Sequence, residues 1–81
     1  MLQAPLCVTI APTRELARQI FNDFELLGTA AGLSVKCFYG GTPFGPQCED
    51  LRNGVHVLVC TPGRLLDHVR RQSAAARRAF P

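Results

Sequence analysis

The segment PLCVTIAPTRELARQI, residues 5–20, divides at Pro12 and Thr13 into two different patterns of apolar residues. The residues before this point form a short apolar run rich in β-branched side chains, as in a buried strand. Apolar residues then recur at steps of four and three as far as Ala31, which predicts an amphipathic helix. Thr13 is a suitable N-cap for that helix, and Gly32 is a natural stop. The segment therefore predicts a strand that leads directly into a helix.

The same transition from strand to helix occurs again further along the chain. VHVLVC, residues 55–60, predicts a strand, and a helix is expected over residues 62–71. Between the two transitions, LSVKCFY at residues 33–39 predicts another strand. A short helix is expected over residues 47–52, with Pro46 at its first position.

Strands and helices therefore alternate along the chain, which predicts an α/β fold with three parallel strands and right-handed crossovers. The nearly continuous apolar character of the first and third strands predicts that helices cover both faces of the sheet. At 81 residues the chain is long enough for one small domain at most, and we expect marginal stability.

Composition restricts the class of protein without naming it. The net charge is +3, which is compatible with a polyanionic partner but also common among ordinary soluble domains. The four cysteines form no CxxC pair, and Cys7, Cys37 and Cys60 stand in apolar runs, so we expect reduced core thiols of an intracellular protein. The sequence does not resemble a signal peptide at its start, and no apolar stretch approaches the roughly 20 residues that span a bilayer.

Three loops are expected at one edge of this sheet, because the carboxyl ends of parallel strands lie together. They cover residues 11–15, 39–43 and 60–64. Ligands of open α/β sheets bind at this edge, and helix N-termini attract phosphate through their free N–H groups. A row of such sites without an aromatic stacking platform suits a nucleic-acid strand bound by its backbone.

Simpler explanations exist for each loop taken alone. A Thr-Pro pair before a helix is common capping chemistry, and a Gly-Gly pair is most often a turn. Arg14 and Arg64 could be solvated, and His68 is expected on the exposed side of the last helix. The aromatic residues Phe44 and Tyr39 are expected to serve packing. The functional interpretation is favoured because the three loops share one topological position.

Three motifs at these positions resemble a known family. PTRELA at residues 12–17, GG at residues 40–41 and TPGR at residues 61–64 are similar to motif Ia, the GG motif and motif Ib of DEAD-box ATP-dependent RNA helicases. The resemblance covers residues 8–68 and implies part of the first RecA-like (P-loop NTPase) domain. The segments around the second and third motifs resemble the nucleolar Gu-type branch of the family.

This resemblance implies a parent protein that unwinds RNA by using ATP and Mg²⁺. It also implies that the three motifs bind the sugar-phosphate backbone of a single RNA strand without reading its sequence. The residues implied to face RNA are Pro12, Thr13, Arg14, Gly40, Gly41, Thr61, Pro62, Gly63 and Arg64. Glu15 is expected to give structural support by pairing with Arg64, since opposite charges stand at neighbouring strand ends. No catalytic and no metal-binding residue is expected in this chain.

The chain also departs from the family pattern. It contains no GKT phosphate-binding loop, no DEAD tetrapeptide, no SAT motif and no second RecA-like domain. We therefore expect a fragment that binds no cofactor and is inactive alone, with RNA and the missing remainder of the helicase core as partners and no membrane association. Residues 1–72 are expected to form the partial domain, and residues 73–81 a frayed basic tail or a truncated continuation.

Two other interpretations stay open at this point. The chain could be a truncated, non-enzymatic module that binds RNA or serves as an interaction surface, or an unrelated small α/β phosphate binder. The nucleolar branch implies a location in the nucleus or nucleolus, and a removed targeting peptide would instead imply an organelle.

Overall fold

A computed structural model describes residues 5–71 of the chain, with side chains described through residue 70. The tail expected over residues 73–81 lies outside the described residues. The elements follow in the order β1 (Cys7–Ile10), α1 (Arg14–Ala31), β2 (Val35–Phe38), α2 (Phe44–Asn53), β3 (Val57–Cys60) and α3 (Pro62–Arg71).

The three strands form one parallel sheet in the order β1-β3-β2, which confirms the predicted α/β fold. Val57 of the central strand is in register with Cys7 of β1 and with Val35 of β2. The chain passes over β3 to reach β2 and then returns to β3. Because crossovers between parallel strands are right-handed in nearly all proteins, two crossovers in opposite directions place their helices on opposite faces.

Two core clusters show this division between the faces. On one face, Val59 packs with Ala17 and the partly buried Ile20 of α1. On the other face, Leu58 packs with Leu51 of α2 and the partly buried Leu65 of α3. The chain therefore has three layers, with α1 on one side of the sheet and α2 and α3 on the other.

The expectation that β1 is covered on both faces is wrong. Val8 is 40% exposed and Ile10 is 55% exposed, whereas Leu58, Val59 and Cys60 of the central strand β3 are buried. The reason is topological, since α1 packs against β2 and β3 on its way across the sheet and leaves the edge strand β1 largely open. Cys7, on this open strand, is exposed rather than in the core, and only Cys60 of the four cysteines is buried.

Local signals place the ends of α1 as predicted. The Thr13 side chain accepts a hydrogen bond from the Leu16 N–H at 3.2 Å, and Gly32 ends the helix with a left-handed φ of 75°. Gly28, inside the helix, has a packing reason that the sequence does not reveal. A Cβ at Gly28 would overlap Cγ2 of Val35, so glycine allows α1 to lie directly on the start of β2.

The second helix begins earlier than predicted. It starts at Phe44, so Pro46 is its third residue instead of its first. Proline is compatible with this position because the first N–H groups of a helix have no partner within the helix. Within residues 5–71, no helix has the length and apolar character needed to cross a membrane.

Candidate nucleic-acid interface

The three strand-to-helix loops lie side by side at the carboxyl edge of the sheet. The Ala11 N–H donates to the Cys60 carbonyl oxygen at 2.9 Å, and the Thr61 N–H donates to the Phe38 carbonyl oxygen at 3.1 Å. These bonds continue the sheet one step beyond the strands, so each loop leaves the edge beside its neighbour. The three loops lie at one edge, as predicted, because the strands are parallel.

The first and third loops lie on either side of the point in the sheet where the crossovers change direction. Strands β1 and β3 are neighbours, yet their following helices leave toward opposite faces. Open α/β sheets form a crevice at such a point, outside the carboxyl ends of the strands. Arg14 begins the helix on one side of this point, and Pro62 begins the helix on the other.

The glycines of the second and third loops are open to solvent. Gly40, Gly41 and Gly63 are exposed, and a Cβ at any of them would meet no atom within 4 Å. Gly41 has a φ of 87°, a conformation that other residues rarely adopt, so the turn itself requires glycine there. Gly40 and Gly63 do not have a positive φ, so the backbone does not require glycine there. What the two positions share is open space where a Cβ would lie.

The two arginines at the helix starts have different surroundings. Arg14 is exposed, and its guanidinium carbon lies 5.7 Å from the centre of the Tyr39 ring. The side chain of Arg64 is only 10% exposed and lies over the Phe44 ring at 5.5 Å. Its Nη2 donates to the Thr42 carbonyl oxygen at 3.1 Å. Arg14 is therefore available to an external anion, whereas Arg64 is directed into the protein behind the second loop.

The expected direct pair between Glu15 and Arg64 is not formed. The carboxylate near Arg64 is that of Asp67, one turn later in α3, with 4.0 Å between Nε and Oδ2. That Nε is buried and has no hydrogen-bond partner. The contacts with Thr42 and Phe44 orient the guanidinium toward α2, which explains why the charge pattern alone misplaced it. Glu15 instead lies in the first turn of α1, where a carboxylate stabilises the positive end of the helix.

Two buried polar side chains, His68 and Gln47, lie behind the second loop, and their burial was not predicted. His68 is fully buried, so its expected position on the exposed side of α3 is wrong. Its ring stacks on Phe44 with 4.3 Å between ring centres, and its Nε2 lies 2.8 Å from Oε1 of Gln47. Because His68 stands three residues after Leu65, helical spacing indicated the core face even though the residue type suggested solvent.

Metal-binding side chains do not cluster in the described part of the chain. Within residues 5–71, no group of three His, Cys, Asp or Glu side chains could hold a metal ion. The sequence also has no GKT loop to surround nucleotide phosphates and no DEAD tetrapeptide. The chemistry that this site offers is anion binding by backbone N–H groups, hydroxyls and guanidinium groups.

The parallel sheet and the three adjoining loops define part of a RecA-like helicase domain. The family model for the DEAD/DEAH box helicases matches residues 1–79, and the chain belongs to this family.

Similar proteins agree with this assignment. The chain is 52% identical to nucleolar RNA helicase 2 of Rattus norvegicus over 68 residues, which cover 84% of the chain and 8% of the relative. It is 45% identical to DEAD-box ATP-dependent RNA helicase 30 of Arabidopsis thaliana over 74 residues, or 91% of the chain and 12% of the relative. Identity to ATP-dependent RNA helicase DDX50 of Mus musculus is 47% over 84% of the chain and 9% of the relative. The chain therefore spans about a tenth of the length of these curated relatives.

Proposed function

We propose that this chain is a segment of the first RecA-like domain of an ATP-dependent RNA helicase and forms part of its RNA groove. The observation that carries the proposal is the placement of the PTRELA, GG and TPGR motifs in three adjoining loops at the carboxyl edge of one parallel sheet. The partial domain corresponds to residues 1–72.

The groups at this edge suit the backbone of one RNA strand. The starts of α1 and α3 offer N–H groups and partial positive charge, and exposed glycines let a phosphate approach the main chain. The proposed RNA-facing residues are Pro12, Thr13, Arg14, Gly40, Gly41, Thr61, Pro62 and Gly63. Arg14 contacts phosphate directly, whereas Arg64, which the third motif also implied, supports the second loop from behind. None of these groups reads a base edge, so binding is independent of sequence.

ATP hydrolysis belongs to the longer helicase in this proposal. The parent protein uses ATP and Mg²⁺ through residues that the chain does not contain, and the segment alone is inactive. The remainder of the helicase core is its second partner. The exposed apolar side chains of Val8 and Ile10 on β1, and of Leu6 just before it, support this, because a patch of this kind usually marks a surface that another part of a protein covers. Similarity to a nucleolar helicase supports a nucleolar location for the parent.

The alternative is a non-enzymatic module that binds RNA or offers an interaction surface. It is favoured by the same open edge strand, since a partner protein could cover β1 as well as the helicase core could. The two functions differ in their requirement for ATP. If the parent open reading frame encodes a GKT loop before this segment and a DEAD tetrapeptide after it, the enzyme is supported. If it lacks them, the module is supported.

Titration of the chain with single-stranded RNA tests backbone recognition. We expect similar affinity for oligouridylate and oligoadenylate of equal length. Each phosphate of a single strand that a cation neutralises contributes about −0.7 to the slope of log K against log salt concentration, so the Arg14 contact predicts a slope of about −0.7 or steeper. A chain that binds neither oligonucleotide, or that binds one base sequence alone, would contradict the proposal.

A further inference from the structure

The loop that contains Gly40 and Gly41 is attached to α2 and α3 by a chain of side-chain hydrogen bonds, here called the polar relay. His68 Nε2 lies 2.8 Å from Gln47 Oε1, and Gln47 Nε2 donates to Thr42 Oγ1 at 2.7 Å. Thr42 Oγ1 in turn donates to the carbonyl oxygen of Tyr39. The relay therefore runs from the middle of α3, through α2, to the residue that precedes the glycine pair.

The direction of every bond in the relay follows from its last member. The Tyr39 carbonyl oxygen can only accept, so the single proton of the Thr42 hydroxyl is directed to it. The hydroxyl oxygen must then accept from the amide nitrogen of Gln47, which leaves the amide oxygen facing His68. His68 therefore carries a proton on Nε2.

The helical end of the relay is buried, so its geometry is tightly determined there, and Thr42 and Tyr39 are partly buried. His68 is fully buried and Gln47 is 6% exposed. A buried polar group that loses its partner costs about 1–3 kcal/mol, whereas a fully bonded network specifies one arrangement of its members. The rings of Phe38 and Phe44, at 5.0 Å and 4.3 Å from the imidazole centre, confine His68.

Thr42 receives a second constraint from α3. Its carbonyl oxygen accepts from Arg64 Nη2 at 3.1 Å while its hydroxyl is bonded on both sides. The hydroxyl and the carbonyl of the residue that follows Gly41 are thus bonded to helices on the same face of the sheet. A turn built around two glycines would otherwise be free to change conformation.

We propose that Gln47 and His68 are positioning residues that orient the Gly40–Gly41 backbone toward an RNA phosphate. This inference rests on the proposed RNA function and adds a specific role for residues that touch no ligand. When the relay is intact, the loop N–H groups are already directed outward before RNA arrives. When it is broken, the loop samples other conformations and one phosphate contact is lost.

The affinity of the folded variants for RNA separates positioning from simple stability. Thr42→Val removes the hydroxyl at nearly constant volume, and Gln47→Met removes the amide. Each should weaken oligouridylate binding about tenfold, because one hydrogen bond to a phosphate is lost. The salt slope should stay the same, because a neutral N–H group releases no counterion. Thr42→Ser retains the hydroxyl and should retain the original affinity.

A packing variant supplies the structural control. Ile20→Ala removes volume from the cluster on the opposite face of the sheet, away from the relay, so it should lower stability and leave the affinity of the folded chain unchanged. Oligouridylate binding is measured on the full 81-residue chain, with folding checked by circular dichroism. If the unmodified chain shows no salt-dependent binding, the proposed function fails and the inference fails with it. If the unmodified chain binds and both relay variants keep its affinity, only the positioning role fails.

The tautomer of His68 tests the relay without RNA and without substitution. ¹⁵N NMR of the imidazole at pH 8 should show the proton on Nε2. A neutral ring with its proton on Nδ1 would reverse the relay, remove the Thr42 bond to the Tyr39 carbonyl and overturn the inference. This measurement tests the direction of the relay even if a relay variant does not fold.

Discussion

Arg64 Nη2 lies 3.1 Å from the carbonyl oxygen of Thr42, and this hydrogen bond joins the start of α3 to the loop that follows β2. The same guanidinium lies over the ring of Phe44. Arg64 belongs to the TPGR motif, which was expected to contact a ligand. Here it stabilises the loop after β2 from within the protein. Its exposed counterpart Arg14 has no such role, and the two positions should respond differently to substitution.

Replacing Arg64 should affect folding. We expect Arg64→Ala to lower the free energy of unfolding by about 1–3 kcal/mol, because Thr42 loses a charge-assisted bond and Phe44 loses its cation. Urea denaturation measures this change. Arg70→Ala, on the exposed side of the same helix, should change stability by less than about 0.5 kcal/mol. Equal losses in both variants would contradict the inward role of Arg64.

Replacing Arg14 should affect RNA binding and leave folding nearly unchanged. We expect Arg14→Ala to reduce the slope of log K against log salt concentration by about 0.7, since one phosphate contact is lost. Arg52→Ala removes the same charge near the C-terminal end of α2, away from the three loops, and serves as the matched control. A slope that Arg52→Ala reduces as much as Arg14→Ala does would indicate general charge attraction instead of a defined contact.

Two glycines inside helices should respond to alanine in opposite directions. Gly28→Ala forces a Cβ against Val35, and we expect a loss of about 1–3 kcal/mol in the free energy of unfolding. Gly45→Ala, near the start of α2, meets open space and should raise stability by about 0.4–1 kcal/mol. Thermal and urea denaturation of both variants test the close approach of α1 to β2, and two changes of the same sign would argue against it.

Alkaline pH should destabilise the chain through Cys60. Burial, with a smaller effect from Cys37, raises the pKa of the Cys60 thiol from 9.0 to about 11. The folded protein then keeps a proton that the unfolded chain releases, so stability falls as pH rises from about 9 to about 11. Urea denaturation across this range should show a smaller decline for Cys60→Ala than for the unmodified chain. Parallel declines would mean that other groups cause the loss.

Local signals account for the parts of the fold and site that the sequence predicts well. The N-cap at Thr13 and the stop at Gly32 depend on neighbouring residues, so short stretches identify them. Parallel strand order follows from alternation, and the gathering of the three motif loops follows from parallel order. The RNA-facing roles of the residues in those loops stay predictions.

Long-range packing accounts for what could not be predicted. His68 is polar and was placed in solvent, yet Gln47, far from it in sequence, supplies the partner that makes its burial favourable. Arg64 was expected to meet Glu15, but a carbonyl group more than twenty residues earlier in the chain orients it instead. Neither partner can be identified until the helices that carry them are placed against the sheet.

The sequence alone determined the alternating α/β order, the parallel direction of the strands and the common edge at which PTRELA, GG and TPGR lie, because these follow from hydrophobic period and chain connectivity. Only the tertiary structure decided that β1 stays open, that Arg64 faces inward and that His68 supports the Gly40–Gly41 loop. Those features depend on which helix covers which strand, and polar groups adopt their partners only after apolar packing has brought the elements together.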